Sequence, residues 1–474
     1  MIDLQKAEEE LNETYGMAFL PSKTSVTLHA RCFAALAERC FAVCFDTERK
    51  QFFRYSPVHG VWEPWGSEAI IDAISGMIHE YAVIHKPHRE LIEIKATSGF
   101  LGSVLTFLKG IAAFKFSSYK RDGYLIHAAN TMLRFDLPSG RWQPEPFSSD
   151  YRSLNYLPIS YDPAATCPRF LNRLLAPAMS PADIELLQLY AGQALLGMNV
   201  SQTILLLTGT AGGGKSTLVN VIEGLVGRWN CTELRTEFLN TRFENSRMLG
   251  KTLLTAKDVP GNFLNTAGAQ RLKALTGKDT VTLEYKNSNE AFDISGVFNA
   301  IITSNSTLQL RFEGDEAAWR RRLLWIPYER PPVSAEERIA DLDRILMEEE
   351  GSGILNWAME GARKLLQRGG KIIRDEEQKR RIDQLIAGSS PYDTFVACCV
   401  IGNPDRAITT EELVCRFKDF SKKMGWTIPA DRQIENELPG AMFRVHGAHK
   451  RTDIRGKDGK YKRGYMYFSV NSGI

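Results

Sequence analysis

Hydrophobic positions in this chain follow two different periods, and the points where one gives way to the other set out its elements. Ile204, Leu205, Leu206 and Leu207 form an unbroken apolar run that stops at a glycine-rich stretch, and apolar residues return at helical spacing from Leu218. A short apolar run closed by glycines predicts a buried strand, and the 3.6-residue spacing behind it predicts a helix, so the order is strand, loop, helix. Just upstream, Ile184, Leu187, Ala191 and Leu195 share one face of a predicted helix over 181–198. Downstream, 251–260 and 298–305 read as apolar strands ending in Asp258 and Asn305. Residues 271–286 give a helix end, a glycine turn and a strand, and 316–328 puts Arg320, Arg321 and Arg322 before another apolar strand.

The flanks are patterned differently. Residues 1–25 predict a short helix and a loop at Pro21, 27–39 a helix, 41–65 a hairpin closed by Gly60, and 67–81 a helix starting at Ser67. A second β-rich stretch covers 124–142, with a Pro-Ser-Gly turn. Beyond the arginines, 334–347 predicts a helix with Ser334 and Glu337 as a capping box. A second helix over 353–370 and a charged connecting helix over 372–386 follow. The last hundred residues read as an apolar helix, a turn at Gly402, Asn403 and Pro404, helices near 411–426 and 432–438, and strands at 442–447 and 464–470 around a basic loop.

Composition adds boundaries rather than detail. At 474 residues the chain has room for several domains, and 43% apolar with 24% charged residues is ordinary for a globular protein. No stretch of 18 apolar residues occurs and the acidic start is unlike a signal peptide, so no membrane association is expected. Eight scattered cysteines lack paired zinc-site spacing and predict core thiols in a reducing cytoplasm. His85, His88 and His127 have no helical pairing or nearby acids and predict surface or hydrogen-bonded histidines. The net charge of +3 is unremarkable, but 440–474 holds eight basic against two acidic side chains. Such a concentration is the footprint of phosphate-backbone contact, with a soluble charged hairpin as the plainer alternative.

The chemistry sits in the glycine-rich stretch. Gly209, Gly214, Lys215 and Ser216 match the spacing G-x-x-x-x-G-K-[ST], in which glycines let backbone N–H groups turn inward around phosphate oxygens. Lys215 then reaches the β- and γ-phosphates and Ser216 offers its hydroxyl to Mg²⁺, with ATP and Mg²⁺ as the expected cofactors. The loop as a whole, Gly209, Thr210, Ala211, Gly212, Gly213, Gly214, Lys215, Ser216 and Thr217, is the expected nucleotide cradle, backed by a helix dipole. An apolar strand ending in Asp258 about 40 residues further on supplies the carboxylate that a nucleotidase needs for the metal or the attacking water. Asn305, at the end of another strand, can orient that water, and the arginines can reach a neighbour's γ-phosphate.

The order of these motifs resembles superfamily III helicases, and most closely the helicase part of phage, plasmid and poxvirus-type primase-helicases. GTAGGGKST looks like that family's Walker A loop, LLTAKDVP its Walker B strand with Asp258 in the acidic position, and TSN its sensor with Asn305. KALTGKDTVTLEYK looks like its B′ hairpin, which places Lys273, Lys278 and Lys286 toward DNA, and WRRRLLWIPY supplies the arginine finger as Arg321 or Arg322. The resemblance covers about 150–370. It implies an α/β fold: an AAA+-like P-loop ATPase core (151–370), an α+β N-terminal domain (1–150) serving as a collar or docking site, and a C-terminal winged helix (371–474). It also implies a ring, hexameric by expectation, working on single-stranded DNA, with origin duplex DNA and a separate primase as further partners. Lys450, Arg451, Arg455, Lys460, Lys462 and Arg463 would contact DNA from the winged helix. Family members generally carry glutamate where this chain has Asp258, and often a second acid where it has Lys257. The shorter side chain predicts slow hydrolysis or a role confined to the metal. The chain begins too late for the primase domain often fused upstream, and no paired acids in 1–150 replace it, so priming is not expected. The main rival is a replication initiator that uses ATP as an assembly switch and unwinds little. A small-molecule kinase is a second rival, with no account of Asn305, the arginines or the basic tail.

Overall fold

Strands that are apolar on both faces have to be covered on both, and this requirement organises the centre of the molecule. The computed structural model describes residues 12–16, 19–21, 26–84, 96–116, 123–284, 291–306, 308–310, 316–333, 336, 339–388, 390–423, 428–456 and 459–470. Among the described residues a helical turn at 12–15 comes first, followed by a small hairpin of β1 (Phe19–Pro21) and β2 (Val26–Leu28), so Pro21 lies at a strand end and the helix expected from 27 starts later. Next come α1 (Ala30–Phe41), the meander β3 (Val43–Asp46), β4 (Gln51–Ser56) and β5 (Val61–Trp65), α2 (Ser67–Ile84), α3 (Ser98–Ile111) and β6 (Ala113–Phe114). These strands pair in the order β5-β4-β3-β6, and the three helices close a core around Phe33, Leu36, Ile70, Ile74 and Val104. A three-stranded sheet follows: β7 (Leu125–His127), β8 (Met132–Asp136) and β9 (Arg141–Glu145).

The central sheet is built from β10 (Ile204–Thr208), β11 (Cys231–Glu233), β12 (Leu253–Val259), β15 (Asn299–Ser304) and β16 (Leu323–Pro327). All pair in parallel, in the order β11-β12-β15-β10-β16. Alternate side chains serve opposite faces. Leu205, Leu207, Leu253, Ile301, Leu324 and Ile326 pack beneath α4 (Pro181–Leu195), α5 (Lys215–Val226) and α8 (Leu342–Gln367). Ile204, Leu206, Leu254, Ala300, Ile302 and Leu323 pack against α6 (Arg271–Thr276), α7 (Glu316–Arg322) and α9 (Glu376–Gly388). Between α6 and β15 stands the antiparallel hairpin β13 (Thr280–Glu284) and β14 (Ala291–Ser295). The protein is thus a mixed α/β fold with a parallel sheet.

Several expectations change. The two helices expected at 334–347 and 353–370 are one 26-residue helix, α8, starting at Leu342. Ser334 and Glu337 lie outside the described residues. Its internal glycines are contact points rather than breaks: a β-carbon at Gly361 would collide with the Gln188 carbonyl of α4, and one at Gly192 with Ala362. The domain limits at 150 and 370 also differ from the packing. Ile126, Leu133 and Phe135 of the β7–β9 sheet share the core of the parallel sheet's first face, and Ile382, Leu385 and Ile386 of the charged α9 share that of the second. Periodicity alone did not show that α9's single apolar stripe docks on the sheet.

The C-terminal unit runs α10 (Pro391–Cys399), β17 (Val400–Thr409), α11 (Thr410–Lys423), α12 (Asp431–His446), β18 (Arg451–Arg455) and β19 (Tyr461–Val470), with sheet order β17-β19-β18. Residues 442–447, expected as a strand, finish α12 instead, because Met442 continues the buried series Ile434, Leu438 and Ala441. The expected turn at Gly402, Asn403 and Pro404 is absorbed into β17, whose register shifts between Gly402 and Ala407. All eight cysteines are free thiols; Cys32, Cys44, Cys167 and Cys399 are buried, while Cys398 and Cys415 are exposed. Burial pushes the thiols of Cys44 and Cys167 up to about 12. Among the described residues no helix is long and apolar enough to cross a membrane.

Candidate functional site

The carboxyl ends of β10, β12 and β15 open on one cleft of about 640 Å³. From β10 the chain turns through Gly209–Gly214 into α5, and Gly214, at the helix cap, adopts φ of 106°, a value that only glycine takes without strain. Lys215 follows as the first residue of α5. It is 3% exposed, and its Nζ donates to the carbonyls of Gly209 (2.9 Å) and Thr210 (2.7 Å) and to Asn305 Oδ1 (2.7 Å). A buried ammonium whose hydrogen bonds all go to neutral oxygens is well suited to an anion. Burial holds its pKa below the usual lysine value, with Asp258 pulling the other way. An arriving polyphosphate would supply the charge the lysine lacks, and the backbone N–H groups at the start of α5 could share in binding it, while the Gly209 N–H is already committed to the Ser304 carbonyl.

Across the cleft, Ser216 Oγ donates to Asp258 Oδ2 at 3.0 Å. A hydroxyl and a carboxylate beside a phosphate cradle are the oxygen donors that Mg²⁺ takes, since it is held by one or two protein oxygens with phosphates and waters completing its shell. Among the described residues no group of three or more His, Cys, Asp or Glu side chains could hold a metal by itself. His127 is a core residue with Nε2 2.8 Å from the His59 carbonyl, and His85 and His88 lie outside the described residues. The structure therefore brings Lys215, Ser216, Asp258 and Asn305 together, from three separate stretches of the sequence: the glycine loop, the strand ending near Asp258 and the strand ending near Asn305.

The arginines are elsewhere. Leu323 pairs with Ile204 and Pro327 with Thr208, so Arg321 and Arg322 stand at the amino end of the sheet while the glycine loop leaves its carboxyl end. At about 3.3 Å per residue the five paired positions alone separate them by roughly 15 Å. Arg321 is exposed. Arg322, the other of the two candidates from the sequence, is 6% exposed and folded back against its own chain, with Nη1 donating to the Ala318 carbonyl at 3.4 Å. Burial and the neighbouring Arg321 lower its pKa, with Asp279 opposing. Of the two candidates, then, only Arg321 faces outward, while Arg322 is enclosed in its own domain. Arg320 pairs with Asp383 of α9 at 2.7 Å.

The expected DNA contacts are dispersed. Lys273 lies over the Trp319 ring (5.5 Å), Lys278 is exposed, and Lys286 lies outside the described residues. In the C-terminal unit Lys450, Arg451, Arg455, Lys460 and Arg463 are exposed and Lys462 is half-buried. Arg451 pairs with Asp453 (2.6 Å) and Lys462 with Glu411 (2.7 Å). Residues that the sequence reading missed also line the cleft: Arg173 from the stretch before α4, Arg330 after β16, and Leu346 of α8. Arg330 Nη1 donates to the Arg173 carbonyl at 2.9 Å, closing the rim. Only the recurrence of arginine in loops next to apolar elements hinted at them.

Residues 30–176 match the family described as "D5 N terminal like", and residues 207–322, from the glycine loop to the arginine triplet, match a "Family of unknown function (DUF5906)". No curated protein matches. Among solved structures, the A form of the apo NrS-1 C-terminal region is similar at a TM-score of 0.50 and 12% identity, over 92% of this chain and 98% of that one. A second apo structure of the same region scores 0.48 at 11% identity, with the same coverage. At such identity the likeness is one of fold.

Proposed function

We propose that this chain is an ATP-dependent DNA helicase that serves replication of a phage, plasmid or mobile element, working as a ring on single-stranded DNA. The observation that carries the proposal is the meeting of Lys215, Ser216, Asp258 and Asn305 in one cleft, with the exposed Arg321 at the far end of the same sheet. The central sheet is read as an AAA+-like P-loop core and the α10–β19 unit as a winged helix. Mg²⁺-bound ATP supplies the phosphoryl group whose transfer to water drives motion. Lys215 and the loop N–H groups bind and orient the phosphates, and Ser216 and Asp258 hold the metal. Asn305, released from Lys215, orients the attacking water.

An arginine that stabilises the charge leaving on the β-phosphate must come close to it. Arg321 cannot do so within its own chain, because the sheet lies between them. It can do so across a subunit boundary, which ties activity to ring assembly, with a hexamer as the expected ring. The match to "D5 N terminal like" over 30–176 supports placing the chain among replication helicases of this type.

The test measures assembly and turnover together. The wild-type chain is sized by native mass spectrometry with a non-hydrolysable ATP analogue, and its ATPase rate is read with and without single-stranded DNA. A nucleotide-dependent ring with DNA-stimulated turnover supports the proposal. A chain that stays monomeric at saturating analogue and DNA, with turnover indifferent to DNA, ends it.

A further inference from the structure

The acidic strand loses its regular pairing where Asp258 stands. Ala256 pairs with Ile302 and Val259 with Ser304, so both Lys257 and Asp258 lie opposite Thr303 alone. Two residues facing one is a β-bulge. Asp258 takes φ of 51°, in the left-handed region where aspartate is several-fold enriched among non-glycine residues.

The bulge changes a direction. In an unbroken strand successive side chains face opposite sides. Leu253 and Thr255 face α5, with Thr255 Oγ1 donating to Glu223 Oε1 at 2.6 Å, and Leu254 and Ala256 face the other cluster. Continued unbroken, Lys257 would face α5 and Asp258 would face away from it. Lys257 does face α5: its Nζ donates to Asn220 Oδ1 (2.6 Å) and to Glu223 Oε2 (2.8 Å). Yet Asp258 faces α5 as well, accepting from Ser216. Consecutive side chains on one face are possible only because the bulge inserts the extra turn.

Thr303 supports that turn. It is fully buried, and its Oγ1 accepts the Asp258 backbone N–H at 2.9 Å. The next residue helps, Ser304 Oγ donating to the Val259 carbonyl at 2.7 Å. We infer that Thr303 is a positioning residue: its hydroxyl fixes the bulge that aims the Asp258 carboxylate at Ser216 and the divalent metal of the bound nucleotide. The inference rests on the nucleotide reading of this cleft. It goes beyond that reading in making the aim of the acid depend on a side chain of the neighbouring strand. It also accounts for aspartate at this position, since the shorter acid suits the left-handed backbone.

The test separates the inference from the reading beneath it. Thr303→Val keeps the shape and removes the acceptor. A fluorescent ATP analogue is titrated without metal, and ATP turnover is then followed against Mg²⁺ concentration. In Thr303→Val the metal-free binding should match wild type, while the Mg²⁺ needed for half-maximal turnover rises and the maximal rate falls about 10- to 100-fold, the usual effect of losing a support behind a metal ligand. Thr303→Ser, which keeps the hydroxyl, should restore both. Wild-type Mg²⁺ dependence and rate in Thr303→Val overturn the inference and leave the nucleotide reading standing. Failure of serine to restore them also overturns it, by reducing Thr303 to a packing residue. A wild-type chain that binds no analogue removes both ideas together. If Thr303→Val does not fold, Thr303→Ala replaces it, with the same expected loss and the same serine control.

Discussion

Cations in two parts of this molecule are treated in opposite ways. Lys215 is buried with neutral partners at the carboxyl end of the parallel sheet, whereas Lys450, Arg455 and Arg463 stand in the open on the C-terminal unit. Burying an ammonium is costly, and a protein keeps one buried where a specific anion is to meet it. An exposed cation costs little and gains little, and it acts on whatever lies outside the chain. The adjacent arginines repeat the contrast within two residues, Arg322 enclosed and Arg321 outside. The lesson is that depth restricts a cation's reach: an enclosed charge can serve only its own cleft or core, whereas an exposed one, such as Arg321, is open to groups outside the chain.

The strongest way to break that comparison is at the arginines. Arg321→Ala should lower ATP turnover by about 1,000-fold or more, the range for a finger residue supplied in trans, and leave the melting temperature unchanged. Arg322→Met should leave turnover near wild type and hold or raise the melting temperature, since Arg322 Nε is buried without a hydrogen-bond partner and its desolvation cost is relieved by an apolar side chain. Equal loss of turnover in both variants would contradict the assignment by depth. Mixing Arg321→Ala with Lys215→Ala protomers should regain some activity at interfaces that pair two intact halves.

Lys215→Ala comes next. Loss of a preorganised donor at the phosphates should reduce turnover about 100- to 1,000-fold, read as steady-state phosphate release. Asp258→Glu sharpens the picture through its sign. The resemblance to superfamily III helicases would make glutamate an improvement, but the left-handed bulge points to a misplaced carboxylate and a loss of about 10- to 100-fold. A faster Asp258→Glu enzyme would mean that the bulge does not set the aim. The smallest effect belongs to the surface: Lys450→Ala and Arg455→Ala should each make the logarithmic salt dependence of DNA binding shallower by about one unit. Unchanged slopes would return that hairpin to the status of a soluble surface.

The strand, glycine turn and helix around Lys215 were legible because three constraints coincide there: an apolar run, glycines at fixed offsets and a return to helical spacing. The strands that became β12, β15 and β16 were legible as apolar runs, while the short β11 and the order in which the five pair were not, since both depend on partners far away in the chain. Whether Arg321 or Arg322 faces outward was not legible, because the two sit side by side in one short helix and only packing separates them. The aim of Asp258 was equally hidden. A bulge depends on the partner strand, and Thr303 lies 45 residues away from the residue it supports. The use of Gly361 inside α8 was hidden in the same way, since it appears only when Gln188 of α4 is laid against it.

That contact between α8 and α4 has a mechanical consequence. Over 26 residues α8 extends roughly 39 Å. Leu342 and Leu346 near its start line the cleft beside the glycine loop, and further along the Met359 carbonyl accepts the indole N–H of Trp142 from β9 at 3.2 Å. With no side-chain padding where Gly192 and Gly361 cross, the two helices have no slack in which to slide. A bulkier residue at either glycine would therefore have to part α4 from α8, and with it the packing that holds the long helix against both the cleft and the β7–β9 sheet.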